Sequence, residues 1–296
     1  MMKSLQDTKV EKSDLRVMVI GAHPDDADNL AGGTAIKFAR AGARVRFVSA
    51  CNGDKGHHEM TSPALAARRR GETARAAAVF GIERYEVMDT PDCIIAPDIA
   101  QREKFTRLIR EFAPHLIFTH RLCDYHADHR ATSQIVQDVA YMLGVPRWCP
   151  DTPIPDVKPA IFFLSDDFTT PRPFRADAIV PIDDVMDQML DAMREHVSQF
   201  FEWLPFDMRM PPEDVPPSSD IKAAREFVDK WWCQMKRSDA QRFADKVREF
   251  VPEGPMPVNV EAFEMSEYGR TLSHDEIVQF FSFSDKEKDG CNWFLQ

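Results

Sequence analysis

Apolar positions form short unbroken runs in the first half of the chain and fall into helical spacing in the second. Residues 15–22, LRVMVIGA, are largely β-branched or apolar and end in small residues, as a strand buried on both faces of a parallel sheet does. After a short loop the spacing predicts a helix over 31–41, a strand over 43–50 (ARVRFVSA), an alanine-rich helix over 63–81 closed by Gly81, and a strand over 84–89 (RYEVMD). A helix over 97–112 stops at Pro114, HLIFTH at 115–120 supplies a fourth strand, and another helix covers 129–143. This alternation predicts right-handed crossovers and a Rossmann-like α/β fold, a mostly parallel sheet with helices on both faces.

Beyond a Pro-rich connection at 150–159, the stretches 160–165 and 178–183 are expected to add edge strands. From 184 the segment VMDQMLDAMREHVSQFFEWL has helical apolar spacing, a Pro-rich loop occupies 205–217, and 219–249 is again helical. The expected organisation is a Rossmann-type domain over 1–185 and a C-terminal helical extension over 186–296 that packs on it or completes it. Within that extension WWC at 231–233 is expected to pack on the sheet rather than on a neighbouring subunit.

Composition narrows the partners. A chain of 296 residues, 44% hydrophobic and 29% charged, has ordinary globular makeup. Its 37 basic and 48 acidic residues give a net charge of -11, which disfavours nucleic acid and anionic membrane surfaces. The polar start lacks a signal-like apolar stretch and no later run approaches the roughly 18 residues of a membrane span, so a cytoplasmic protein is expected. The six cysteines, Cys51, Cys93, Cys123, Cys149, Cys233 and Cys291, include no C-x-x-C pair and are expected to be reduced.

The candidate chemistry follows the first strand, in Gly21-Ala22-His23-Pro24-Asp25-Asp26-Ala27-Asp28. In open parallel sheets the functional crevice lies beyond the carboxyl ends of the strands. Three acids and an imidazole crowded there repel one another, and a bound cation relieves the repulsion. A second group, His126-Ala127-Asp128-His129, follows the fourth strand, which neighbours the first in many doubly wound sheets. Two imidazoles and a carboxylate converging from these loops would give the three-ligand pattern of catalytic rather than structural zinc. Alone, His-Pro-Asp-Asp also reads as a turn with a helix cap. His57 and His58 are expected in a mobile loop bordering the pocket, His115 and His120 as structural residues, His196 mainly as packing, and Cys123 without a base partner.

The string AHPDDADNLAGGTAIKFARAGARVRFVSACNGDKG, followed by RRRGETARAAAVFGI and HADH, resembles the LmbE/PIG-L family of zinc-dependent N-deacetylases over roughly residues 15–165, with a weaker echo in REHVSQF at 194–200. The resemblance implies His23, Asp26 and His129 as metal ligands and Asp25 as the general base that takes a proton from the attacking water. It implies His126, as imidazolium, as oxyanion stabiliser and amine proton donor, with Asp128 orienting it. Arg69, Glu72 and Asp92 would contact or brace the substrate. Asp28 stands where most members carry Glu, which bears on substrate placement. Zinc is the implied cofactor, and the same donors suit iron(II) or another divalent metal. The implied reaction is hydrolysis of an N-acyl, in particular N-acetyl, amide of an amino-sugar-like small molecule or glycoside. The alternatives are a metal-dependent phosphoester hydrolase and a metal-bearing sugar-binding protein without turnover. Apolar C-terminal helices allow a homo-oligomer, a state common in the family.

Overall fold

The computed structural model describes residues 14–283, so Cys291 and the polar start at 1–13 lie outside the described residues. Seven strands form one sheet: β1 (Arg16–Gly21), β2 (Arg44–Ser49), β3 (Arg84–Val87), β4 (Leu116–Thr119), β5 (Ala160–Leu164), β6 (Ala178–Pro181) and β7 (Val260–Gly269). Their order is β3-β2-β1-β4-β5-β7-β6. The first five are parallel, and β7 runs antiparallel to both β5 and β6.

β1 shows why the strands read as unbroken apolar runs. Val17 and Val19 enter one core with α1 (Asp26–Arg40) and α2 (Ser62–Phe80), while Met18 and Ile20 enter the other with α3 (Ile99–Phe112) and α4 (Ala127–Met142). A strand with helices on both sides has no face left for polar residues. β1 sits between β2 and β4, which makes the β1/β4 boundary the topological switch point of the sheet.

The C-terminal segment departs from an uninterrupted helical extension in two ways. It supplies β7, inserted between β5 and β6, so its backbone belongs to the same sheet as the N-terminal strands. The expected helix from 184 breaks after α5 (Met186–Met193) and resumes as a π-helical turn at Ser198–Trp203 followed by α6 (Leu204–Asp207). Likewise 219–249 divides into α7 (Ile221–Trp232), α8 (Gln234–Arg242) and α9 (Ala244–Phe250), ahead of α10 (His274–Phe281). Trp231 and Trp232 pack against the core shared with β1 and α1. Among the described residues no helix is long and apolar enough to cross a membrane.

Candidate metal centre

The loops after β1 and β4 meet at the switch point. His23 Nδ1 lies 3.2 Å from His129 Nε2 and 3.4 Å from Asp26 Oδ2, and His129 Nε2 lies 3.5 Å from Asp26 Oδ1. Donors bound at about 2.0–2.1 Å on the corners of a tetrahedron stand roughly 3.3–3.4 Å apart, so these three residues fit one zinc-sized cation. Charge points the same way. Burial opposes protonation of His23, yet hydrogen bonds to Asp128, Asp26 and Asp92 raise its pKa well above the ordinary value. Burial also opposes that of His129, and Asp26 and Asp124 still push it up to about 9. Two protonated imidazoles thus supply the charge that a divalent ion would bring. Asp26 is held well below the usual carboxylate range by His129 and His120, although burial alone would raise it.

Local structure fixes each donor. Asp26 opens α1 and its carboxylate accepts from the Ala22 and His23 amides at 2.9 and 2.8 Å. A side chain at Gly21 would come within 2.7 Å of Asp26 Cβ, so glycine is what lets the helix start so close to the strand. The outer nitrogens of both histidines face carboxylates: His129 Nδ1 is 3.0 Å from Asp124, and His23 Nε2 is 3.2 Å from Asp92 and 3.5 Å from Asp128. Such pairs set the tautomer and ring orientation of a ligating histidine. His120 stacks on His129 with ring centroids 4.0 Å apart and places Nε2 3.1 Å from Asp26 Oδ2.

Asp25 stands beside the triad with φ 149°, a strained backbone for any side chain. Three contacts hold it: its amide donates to Tyr85 Oη at 3.0 Å, Arg69 lies 3.1 Å from its carboxylate, and Arg69 also donates to the Pro24 carbonyl at 2.6 Å. Arg69 needs Gly53, whose φ of 63° and missing side chain leave room for the guanidinium. Burial pushes Asp25 up to about 6, with Arg69 opposing. His126 is lowered by burial and by the positive His23 and His129, and its Nδ1 accepts from the Asp128 amide at 3.1 Å.

The structure redistributes several expected roles. The Asp128 carboxylate accepts from the Cys93 and Ile95 amides and faces His23, while only its backbone meets His126. Asp28 is fully buried and pairs with His196 at 2.8 Å instead of facing the cavity, so the expected substrate contact is absent. The shorter acid is completed from the C-terminal segment. Glu72, also expected at the substrate, is buried and accepts from the Ser198 amide and hydroxyl and from Arg68. Arg69 and Asp92 do line the cavity. His57 is anchored rather than loose, with Nε2 2.8 Å from Glu202 and Nδ1 accepting from Glu59 and Met60. His115 is structural, accepting from the Arg16 amide. Sequence reasoning missed Asp124, took His120 as structural only, and missed Tyr85. The string His120-x-x-x-Asp124-x-His126-x-Asp128-His129 carries the signal for the first two.

The triad opens into a cavity of about 510 Å³. One end is polar, with Asp25, Asp92, Asp124 and the histidines, and the far wall is apolar, with Phe168, Phe200, Trp203, Leu204, Trp232 and Met235. Fold and site together define an α/β protein with a cluster of carboxylates and imidazoles, able to hold a cation, at the switch point of its sheet.

Residues 18–140 match the family described as PIG-L, GlcNAc-PI de-N-acetylase. A diacetylchitobiose deacetylase from Thermococcus kodakarensis is 27% identical over 201 residues, covering 64% of this chain and 74% of its own. The structure of N,N'-diacetylchitobiose deacetylase from Pyrococcus horikoshii superposes with a TM-score of 0.65 at 21% identity, covering 85% of this chain and 83% of that one. The 4-carboxy-2-hydroxymuconate hydratase from Pseudomonas putida superposes with a TM-score of 0.66 at 19% identity over 88% of this chain and 98% of that one. Over residues 18–140 the chain is thus similar to the PIG-L family. Two such different activities on one fold leave the reaction to be argued from the site.

Proposed function

We propose that this protein is a zinc-dependent hydrolase that removes an acyl group, acetyl in the first instance, from the nitrogen of an amino-sugar-like small molecule. The observation that carries the reading is the pairing of a three-donor centre with a separate carboxylate, Asp25, raised to about 6 and open to the same cavity. The deacetylase named among its relatives has an N-acetylated sugar as substrate, which supports that substrate class. Its five described cysteines are unpaired, which fits work in the reducing cytoplasm.

His23, Asp26 and His129 would hold the ion, whose chemistry when bound is to acidify water and polarise an amide carbonyl. Asp25 is ionised at neutral pH yet basic enough to take a proton from water, the balance a general base needs. Arg69 keeps its carboxylate turned into the cavity. His126 stays neutral in the resting enzyme, and a bound cation beside it adds charge of the same sign as the protonated histidines. We therefore assign it to orient and polarise the amide oxygen, with the proton taken by Asp25 returned to the departing amine.

A phosphoester substrate fits less well. Of the three cationic side chains of Lys and Arg that line the cavity, Arg121 is engaged by Asp166 and two carbonyls, Arg69 by Asp25 and two carbonyls, and Lys55 by Asp54. None is left to neutralise a phosphoryl group. The test is free-amine release from a panel of N-acetylated sugars and small amides, with and without chelator. Wild type should release amine only with metal, and Asp25→Asn should lose at least about a hundredfold in rate at unchanged metal content. Loss of metal from Asp25→Asn, or amine release that survives chelation, would overturn the assignment.

A further inference from the structure

A second set of donor atoms gathers on the outer side of the triad. His23 lies between the two sets, its Nδ1 toward Asp26 and His129 and its Nε2 toward Asp92. Next to Asp92, Cys93 is exposed at the cavity rim with its sulfur 3.4 Å from Asp92 Oδ1. His126 completes the group: the donor atoms of Asp92, Cys93 and His126 all lie within 4.8 Å of one another.

The spacing is that of a thiol hydrogen bond and equally suits an ion. With sulfur at about 2.3 Å and oxygen at about 2.0–2.2 Å from a tetrahedral zinc, the two donors stand roughly 3.5 Å apart, close to the spacing seen. A thiol, a carboxylate and an imidazole are a donor set for a borderline cation such as zinc, not for magnesium or calcium. The surroundings are anionic. Burial, then Asp92 and Asp128, hold the Cys93 thiol above its ordinary pKa. His126 spends Nδ1 on the Asp128 amide, and its Nε2 has no hydrogen-bond partner among the described residues.

We propose that Asp92, Cys93 and His126 form a second zinc site, adjacent to the catalytic one and inhibitory when filled. Binding there breaks the S–H bond of Cys93, releases that proton to solvent and forms a thiolate-zinc bond. It also withdraws His126 from the amide oxygen and pulls Asp92 off His23. The inhibitory meaning rests on the proposed amide hydrolysis; the binding itself does not.

The experiment is a titration of chelator-stripped full-length protein with cobalt(II), followed by absorbance, and in parallel with zinc(II), followed by amine release and by metal content after desalting. Wild type should take up two equivalents, with the sulfur-to-cobalt charge-transfer band rising only with the second, and should lose most of its activity as the second zinc equivalent binds. Cys93→Ala should bind one equivalent, show no such band and keep its activity in excess zinc; Cys93→Ser serves if the alanine variant is insoluble. A single equivalent in wild type, a second equivalent without the band, or inhibition that persists in the variants would overturn the site. Cobalt absorbance needs no substrate, so an intact band with no amine release from any substrate would count against the proposed reaction and not against the site.

Discussion

At the scale of single residues, the histidines of this chain divide by what faces them. His23 and His129 face carboxylates and gain protons. His115, buried 99 positions along the chain from its partner Arg16, does the opposite. Burial lowers it to about 4, helped by the positive Arg16 and Arg270, and its Nδ1 must stay bare to accept the Arg16 amide. A histidine ordinarily titrates at about 6.5 when unfolded, so between pH 6.5 and 4 the unfolded chain binds a proton that the folded chain refuses. Stability therefore falls as pH drops through that window, by about 3 kcal/mol for a shift of this size. Above pH 6.5 the imidazole is neutral in both states and contributes no slope. His115→Gln should lack this component, so urea unfolding at pH 6.5 and at pH 4.5 should show a smaller loss for the variant than for wild type. Equal losses would mean that His115 is not held neutral.

At the scale of elements, legibility in the sequence followed burial geometry. β1, β2 and β4 were readable because strands with helices on both sides admit few polar residues. β7 was not, because Glu261 and Glu264 interrupt its apolar pattern although both are buried. Each is matched from elsewhere: Glu264 by the Arg175 amide and the Arg172 guanidinium, Glu261 by Lys236. No local pattern announces a partner that distant. The break between α5 and the π-helical turn was hidden for a similar reason, since apolar spacing continues through 194–200 while His196 turns inward to Asp28. The meeting of the loops after β1 and β4 was legible because loop ends at a switch point recur in position. Asp28 and Glu72 were misplaced because an acid near a site looks the same in sequence whether it faces substrate or a buried partner.

The Glu261 arrangement carries its own prediction. Its carboxylate accepts from the Gly33 and Thr34 amides of α1 at 3.0 and 2.7 Å and lies 3.3 Å from the buried Lys236 ammonium, which also donates to the Asn29 carbonyl. Replacing the acid with Ala leaves a buried ammonium without its counter-charge and two amides without an acceptor. Glu261→Ala should cost about 3–5 kcal/mol in urea unfolding, the range for breaking one side of a buried pair, and Lys236→Met combined with Glu261→Gln should recover part of it. A single-variant loss below about 1 kcal/mol, typical of an exposed pair, would show that water reaches the site.

For the whole molecule, the centre ties together segments far apart in sequence. His23 and Asp26 follow β1, His129 opens α4, and the wall that closes the cavity over them comes from 199–204 and 232–235. Without a cation, Asp26, Asp92, Asp124 and Asp128, the second and fourth of them buried, crowd around His23 and His129. An ion that binds the folded state alone stabilises it by mass action, about 4 kcal/mol at a thousandfold excess over Kd. For a chain of this size that shifts the melting midpoint by roughly 6 °C. Chelator should therefore lower Tm in a differential scan, and added zinc should restore it. His129→Ala removes one of the three proposed donors, so the same scan should show a Tm that chelator no longer moves and metal content well below wild type by elemental analysis. Both readouts are needed, because a destabilised variant alone would also follow from lost packing between His129 and His120. If His129→Ala kept both its metal and its chelator response, the ion would have to sit on other donors, and the convergence of the β1 and β4 loops would be structural rather than catalytic.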